Sequence, residues 1–172
     1  YIRDVVLDNV QLFNTYFDMN ARSYNVTMNN IYIDDTSSTT YHIELSKHLK
    51  INGLVKIGGG KIYMSECNRS TLENFEIRET NSSHSAIDFT YSENAIIRNG
   101  AIYQTSASSG FVGIYGGVGN EISDVFIDLK GSPTYGIFAN ASSTKVATTV
   151  KNCTVLTPTG VTSIRSYGGT SR

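Results

Sequence analysis

A short phrase recurs along the whole chain, and it limits the possible folds more than any other feature. The phrase is an apolar residue, any residue, Asn, an apolar residue, any residue and an apolar residue, as at 28–33 and 72–77. Its seven copies make the following positions equivalent, at intervals of 21 to 28 residues: Asn9, Asn30, Gly53, Asn74, Asn99, Asp124 and Asn152. A repeat of this period indicates one small structural unit stacked many times.

A second phrase, apolar-x-apolar, precedes most copies of the first. Its central positions are Asp18, Glu44, Tyr63, Asp88, Gly113, Phe138 and Arg165. Each unit therefore holds three short alternating segments, and alternation is typical of half-buried strands. No window sustains the apolar face that a helix needs. The sequence predicts an all-β, right-handed parallel β-helix of about seven rungs, with three strands per rung and no helical cap within the chain.

The repeated Asn separates this fold from its alternatives. A leucine-rich horseshoe has a similar period but requires an L-x-x-L-x-L phrase, which the chain lacks. A β-sandwich would not align seven equivalent turn positions, five of them Asn. At a tight turn Asn tolerates unusual backbone angles, and its amide can bond to the turns above and below.

Charge and length exclude several classes of partner. The 172 residues carry a net charge of −1, so the chain has no overall basic character for nucleic acid or an anionic membrane. We expect one domain over 1–172. Cys67 and Cys153 lie four rungs apart in this register, about 19 Å, which is too far for a disulfide.

Residues 85–99, Ser85-Ala-Ile-Asp-Phe-Thr-Tyr-Ser-Glu-Asn-Ala-Ile-Ile-Arg-Asn99, resemble one rung of the pectate-lyase-like right-handed parallel β-helices. The resemblance extends from about Val5 to Ser166, with Asn99 at the asparagine-ladder turn between the second and third strands. This fold carries pectinases, alginate enzymes and bacteriophage tailspikes, and we take the tailspike domains as the most similar. The resemblance implies an extracellular or virion location, a polysaccharide ligand and a homotrimer. Since neither end has a cap, we expect a fragment or central domain of a longer protein that self-associates.

The resemblance also singles out the first-strand face, where pectinase-like relatives commonly bind substrate. The candidate catalytic residues on this face are His42, Glu44, Lys61, Tyr63 and Asp88. Glu44 and Asp88 would lie about 10 Å apart at the backbone, near the carboxyl spacing of an inverting glycosidase. In a lyase, Lys61 or His42 would neutralise a uronate carboxylate and Tyr63 would accept the proton. The alternative is a solvated polar face whose opposite charges pair across rungs.

Further residues on this side could bind substrate, namely Asp18, Phe111, Tyr115 and Phe138. With Tyr103 and Phe126 on the third strand, these aromatics could stack on sugars or bury against a subunit. We predict no cofactor and no metal site, because the three histidines lack ligand spacing. Two classes of function stay open. Either the domain binds a polysaccharide, with or without cleaving it as a glycosidase or lyase, or it is a non-enzymatic shaft or adhesin segment.

Overall fold

The computed structural model describes residues 2–15, 18–19, 22–36, 40–44, 46–79, 85–140 and 147–167. It is an all-β parallel β-solenoid of about six turns, close to the seven rungs predicted, with three strand segments per turn. Within the described ranges no helix is present, and none could therefore span a membrane.

The described strands are short at both ends of the solenoid and longest in its middle. In chain order they are β1 (Ile2–Arg3), β2 (Val6–Asp8), β3 (Gln11–Phe13), β4 (Asp18–Met19), β5 (Ser23–Tyr24), β6 (Thr27–Asp35), β7 (Tyr41–Glu44), β8 (Ser46–Lys47), β9 (Lys50–Gly58), β10 (Ile62–Ser65), β11 (Thr71–Glu79), β12 (Ser85–Glu93), β13 (Ile96–Ala107), β14 (Val112–Val118), β15 (Glu121–Gly131), β16 (Tyr135–Asn140), β17 (Thr149–Lys151), β18 (Thr154–Leu156) and β19 (Thr162–Tyr167).

These strands form three parallel sheets. The first-strand sheet stacks β4, β7, β10, β12, β14, β16 and β19. The long sheet stacks β2 and β3, β6, β9, β11, β13, β15, and finally β17 and β18, so that it combines the second and third segments of each turn. The small sheet contains β1, β5 and β8 and lies between the other two along the chain.

The repeated Asn marks the bend in the long sheet, as the sequence predicted. All seven equivalent positions have a left-handed backbone, with φ between 52° and 77°. The Asn30 amide donates to Asn9 Oδ1 at 3.2 Å, and the Asn152 amide donates to Asp124 Oδ1 at the same distance. Where Gly53 has no side chain, Asn74 donates instead to Asn52 Oδ1 at 2.7 Å. The ladder thus continues past an irregular copy.

A second left-handed column, which the sequence analysis missed, lies at the start of the long sheet. Its members have φ between 53° and 69° and are Asp4, Asn25, His48, Arg69, Asn94 and Gly119. Backbone hydrogen bonds join this corner to the next turn, from Asn25 N to Lys47 O and from Arg69 N to Glu93 O. Its members are of five residue types, so no single residue type marks the column, although Asp, Asn and His all favour a left-handed backbone. Its spacing, which matches that of the Asn column, is the signal that could have revealed it.

The core is a stack of apolar columns, one of which contains a lysine. One inward column of the long sheet reads Leu12, Ile33, Lys56, Ile77, Ile102, Ile127 and Val155. Lys56 is fully buried, and its ammonium donates to Gly58 O at 3.1 Å. Nearby, the buried Tyr41 hydroxyl donates to Asp35 Oδ2 at 2.6 Å. Burial, and secondarily Asp35, raise the pKa of Tyr41 well above its ordinary value.

Phe75 and Gly100 are opposite each other in adjacent strands of the core. The phenyl ring occupies the space that a side chain at position 100 would need, since a Cβ there would lie 2.3 Å from the ring. The large residue in one turn is therefore matched to the absence of a side chain in the next.

We expect Gly100→Ala to lower the free energy of unfolding by about 1–3 kcal/mol, because it overpacks the core. Urea denaturation measures the loss. Phe75→Leu in the same chain should recover part of it, giving a favourable coupling energy in a double-mutant cycle. Strictly additive effects would contradict this packing.

Both cysteines are free thiols, as the register predicted. Cys67 is fully buried, and burial raises the pKa of its thiol to about 12. Cys153 is half-buried, and burial also raises its thiol pKa.

In iodoacetamide labelling of the native protein near pH 8, we expect Cys153 to react before Cys67, because access and thiolate content both limit the rate. Both thiols should react after denaturation without reductant. Mass spectrometry distinguishes the sites, and equal native rates or a disulfide would contradict the register.

Candidate functional site

The first-strand sheet presents one outward column along the solenoid axis. The observed register pairs Asp18 with His42, and the column continues through Tyr63, Asp88, Tyr115, Phe138 and Arg165. The sequence analysis placed Glu44 and Gly113 in this column, and both placements are wrong by two residues. Glu44 instead pairs with Ser65. A two-residue slip keeps each side chain on its face, so alternation alone cannot detect it.

This register moves Glu44 away from Asp88. The two residues are separated by two strand spacings and two residues along the strand, or about 12 Å between backbones. That exceeds the predicted 10 Å or so, and an acid–base pair would need side chains that lean towards each other. Glu44 is half-buried on the same sheet as Asp88.

Three of the predicted residues do meet, and we call them the Lys61 cluster: Lys61, Tyr63 and Asp88. Lys61 Nζ lies 3.0 Å from Asp88 Oδ2 and 4.6 Å from the centre of the Tyr63 ring. The other Asp88 oxygen accepts from Thr90 N at 3.2 Å and Thr90 Oγ1 at 2.6 Å. The carboxylate therefore has three donors and a fixed orientation, while the ammonium lies against an aromatic face.

An aromatic ridge continues the column from this cluster, and consists of Tyr115, Phe138, Tyr135 and Arg165. The Phe138 ring centre lies 4.7 Å from that of Tyr115 and 5.4 Å from that of Tyr135. Arg165 lies 5.3 Å over the Tyr135 ring and donates to its hydroxyl. Burial, followed by the charge of Asp88, raises the pKa of Tyr115. The cluster and the ridge are thus one electrostatically connected surface.

The remaining predicted residues have different outcomes. Phe111 was expected to face outward, but it is fully buried in the core. It precedes β14 and its backbone N donates to Ser108 O, so the turn before the strand directs it inward. Asp18 is exposed at the N-terminal end of the sheet. The His42 backbone lies in β7, but its side chain is outside the described residues.

The third-strand face carries the other predicted aromatic pair. Tyr103 is exposed, and its ring centre lies 5.8 Å from that of Phe126. Arg78 covers the same tyrosine ring. This pair is on the long sheet, away from the aromatic ridge.

A concave surface that the sequence analysis missed lies beside the small sheet. It consists of two adjoining depressions of about 550 and 290 Å³ that share Lys47 and Asn68. We call it the basic cleft; its lining residues are Arg3, Arg22, Ser23, Tyr24, Lys47, His48, Glu66, Asn68, Arg69, Glu93 and Asn94. A signal for it exists in the repeat, because Arg3, Tyr24 and Lys47 each lie six residues before a repeated turn position.

Neither a metal-binding group nor a known similar protein indicates which reaction or ligand the site serves. In the described part of the chain, no group of three or more His, Cys, Asp or Glu side chains could hold a metal ion. No protein-family model, curated protein or solved structure matches the chain significantly. The function therefore has to be inferred from the surface itself.

We expect Asp88→Asn to lower the pKa of Tyr115, because removing a nearby negative charge makes the tyrosinate easier to form. The value should stay above that of an ordinary tyrosine, since burial remains the larger cause. Ultraviolet titration, with Tyr115→Phe to identify the signal, measures the change. Asp128→Asn on the long sheet is the control, and an equal shift there would contradict the proximity of Asp88.

Proposed function

We propose that this chain is a glycan-binding β-solenoid domain that holds an extended polysaccharide along the outer face of its first-strand sheet. The observation that carries the proposal is the aromatic ridge, a chain of contacts from Tyr115 through Phe138 and Tyr135 to Arg165 that begins beside the Lys61 cluster. Aromatic faces provide apolar contact for sugar rings, and the neighbouring polar groups can orient hydroxyls.

The rigid scaffold supports this use of the face. Each strand of the first-strand sheet is paired in parallel with its neighbours, so the column residues repeat at the strand spacing. A polymer with a repeating structure can meet similar contacts at successive turns. Little ordering of the protein is then needed on binding, which favours affinity.

Cleavage is an extension of this proposal. A lyase would use Lys61 to neutralise a uronate carboxylate and Tyr63 as the proton acceptor, and these two side chains are in contact. Hydrolysis by Glu44 and Asp88 has less geometric support, because the two residues are two positions out of register. The Lys61 cluster therefore favours elimination over hydrolysis if the domain has an activity.

The wider setting is part of the same proposal. A tailspike-like domain would be extracellular or virion-associated and would form a homotrimer. The second candidate is a non-enzymatic shaft or adhesin segment, and the exposed Tyr103 with Phe126 on the third-strand face favours it. Rings on that face could pack between subunits rather than on sugar.

We expect Phe138→Ala to weaken polysaccharide binding by about tenfold, since stacking contacts of this kind contribute about 1–1.5 kcal/mol. Affinity electrophoresis against neutral and acidic polysaccharides measures the change. Tyr103→Ala removes an aromatic ring from the other face and is the matched control. Weaker binding in Tyr103→Ala but not in Phe138→Ala would contradict the site.

Product analysis on the same panel tests the enzymatic extension. Unsaturated products that disappear in Tyr63→Phe would support a lyase. New reducing ends that disappear in Glu44→Gln would support hydrolysis. If the native protein binds a polysaccharide but releases no products, the domain is a binding domain without the enzymatic activity. If it sediments as a stable trimer and binds no glycan, the result favours the non-enzymatic shaft.

A further inference from the structure

The distribution of paired cations around the solenoid is uneven. Six described surface cations form ion pairs: Lys50 and Arg98 with Glu73, Lys61 with Asp88, Arg78 with Glu76, Lys130 with Asp128, and Lys151 with Glu121. Among the described residues, four exposed cations have no such carboxylate partner: Arg165, whose side chain donates to the Tyr135 hydroxyl, and Arg3, Lys47 and Arg69. The last three all line the basic cleft.

The fold places these cations along the solenoid axis. Arg3 pairs with Tyr24, which pairs with Lys47, so these three residues share one column of the small sheet. The backbone bond from His48 N to Asn68 O continues the corner into the next turn, where Arg69 follows. Arg69 belongs to the neighbouring corner column of His48, so the three cations occupy two adjacent columns over four successive turns, about 14 Å along the solenoid axis. Like charges so arranged repel each other, and the carboxylates of Glu66 and Glu93 in the lining offset only part of that repulsion.

The lining of the cleft is positive overall. Arg3, Arg22, Lys47 and Arg69 contribute four positive charges against the carboxylates of Glu66 and Glu93, while the whole chain has a net charge of −1. Three of the four cations are arginines, whose planar guanidinium can bind a carboxylate or phosphate through two parallel hydrogen bonds.

An aromatic group completes the lining. The Tyr24 side chain is 41% exposed, and its ring meets the His48 ring edge-on at 5.0 Å. The Asn68 side-chain oxygen accepts from Glu93 N at 2.7 Å, which fixes a side chain that lines both depressions. The cleft thus combines cations, an exposed ring and a concave shape, while the aromatic ridge is on a different sheet.

We propose that the basic cleft is an oxyanion-binding site that takes the acidic groups of an extended glycan chain lying along the solenoid axis. The glycan identity of the ligand rests on the proposed function, whereas the anion preference rests on the cleft itself. The chemistry shared by the two possible sources is an oxyanion, either a uronate carboxylate or a phosphodiester within the polymer. Cations spread over several turns suit a polymer with repeated charges better than a single small anion.

The test uses a charge-matched pair of double variants of the full chain. Lys47→Gln with Arg69→Gln removes two cations from the cleft, while Arg78→Gln with Lys130→Gln removes two cations from the long sheet. Both doubles change the net charge equally and alter only exposed side chains, so circular dichroism and thermal unfolding should show that both fold. Binding of polygalacturonate, a glycerol-phosphate polymer, neutral dextran and tripolyphosphate is measured at about 50 and about 200 mM salt.

We expect the cleft double to lose about tenfold or more in affinity for at least one acidic polymer, with a smaller salt dependence, because it removes two cations that can form charge-assisted hydrogen bonds to the polymer. The control double should stay within about twofold of the native protein. Preference for polygalacturonate identifies carboxylate as the ligand group, and preference for the other polymer identifies phosphate. Dextran binding should be unchanged in both doubles.

Equal losses in the two doubles, or no binding of any anion by the native protein, would overturn the proposal. The same measurements distinguish failure of the cleft proposal from failure of the proposed glycan binding. Tripolyphosphate binding that is lost in the cleft double, without binding of any polysaccharide, would retain the anion site and refute the glycan role. Acidic-polymer binding that is lost in Phe138→Ala but not in the cleft double would retain glycan binding and refute the cleft.

Discussion

The stacking of one turn on the next through left-handed corners supports every other feature of this protein. Two columns of positive φ bend the chain at the same places in successive turns, so that strands of equivalent sequence meet in parallel. The side-chain ladder at the Asn column then links successive bends directly, with the amide of one turn donating to the side-chain oxygen of the turn before. Because the corners are fixed, outward side chains form straight columns, and both the aromatic ridge and the basic cleft are consequences of those columns.

The sequence predicted the architecture because the corner residue is chemically distinctive. Asn tolerates a left-handed backbone, and seven equivalent positions made the turn visible without any structure. The second corner stayed hidden because its members, including His48 and Arg69, have no residue type in common. The position of the second corner can be found from the spacing of the repeat, but not from a repeated residue type.

The candidate site was harder to predict, for two physical reasons. Alternation has a period of two residues. Placing Glu44 where His42 lies therefore kept both residues on the correct face of the sheet but assigned the wrong one to the outward column. Phe111 was misplaced because it precedes its strand, where the turn rather than the pleat sets the direction of the side chain. The ion pair of Lys61 with Asp88 was not itself predicted, and it forms because the two residues lie in adjacent turns. The cleft was missed because concavity depends on the small sheet, which no single phrase encodes.

The buried polar residues near the first turns have a consequence for the uniqueness of this stacking. A two-residue slip of β7 would preserve the apolar faces, and hydrophobic burial alone would tolerate it. It would also move Tyr41 by about 6.6 Å along the strand, out of reach of Asp35, which accepts its hydroxyl at 2.6 Å. The slip would leave the buried carboxylate without this donor, and it would gain no additional hydrophobic burial in return. In a chain of similar alternating phrases, this polar contact therefore favours the native pairing of β7 over the pairing shifted by two residues.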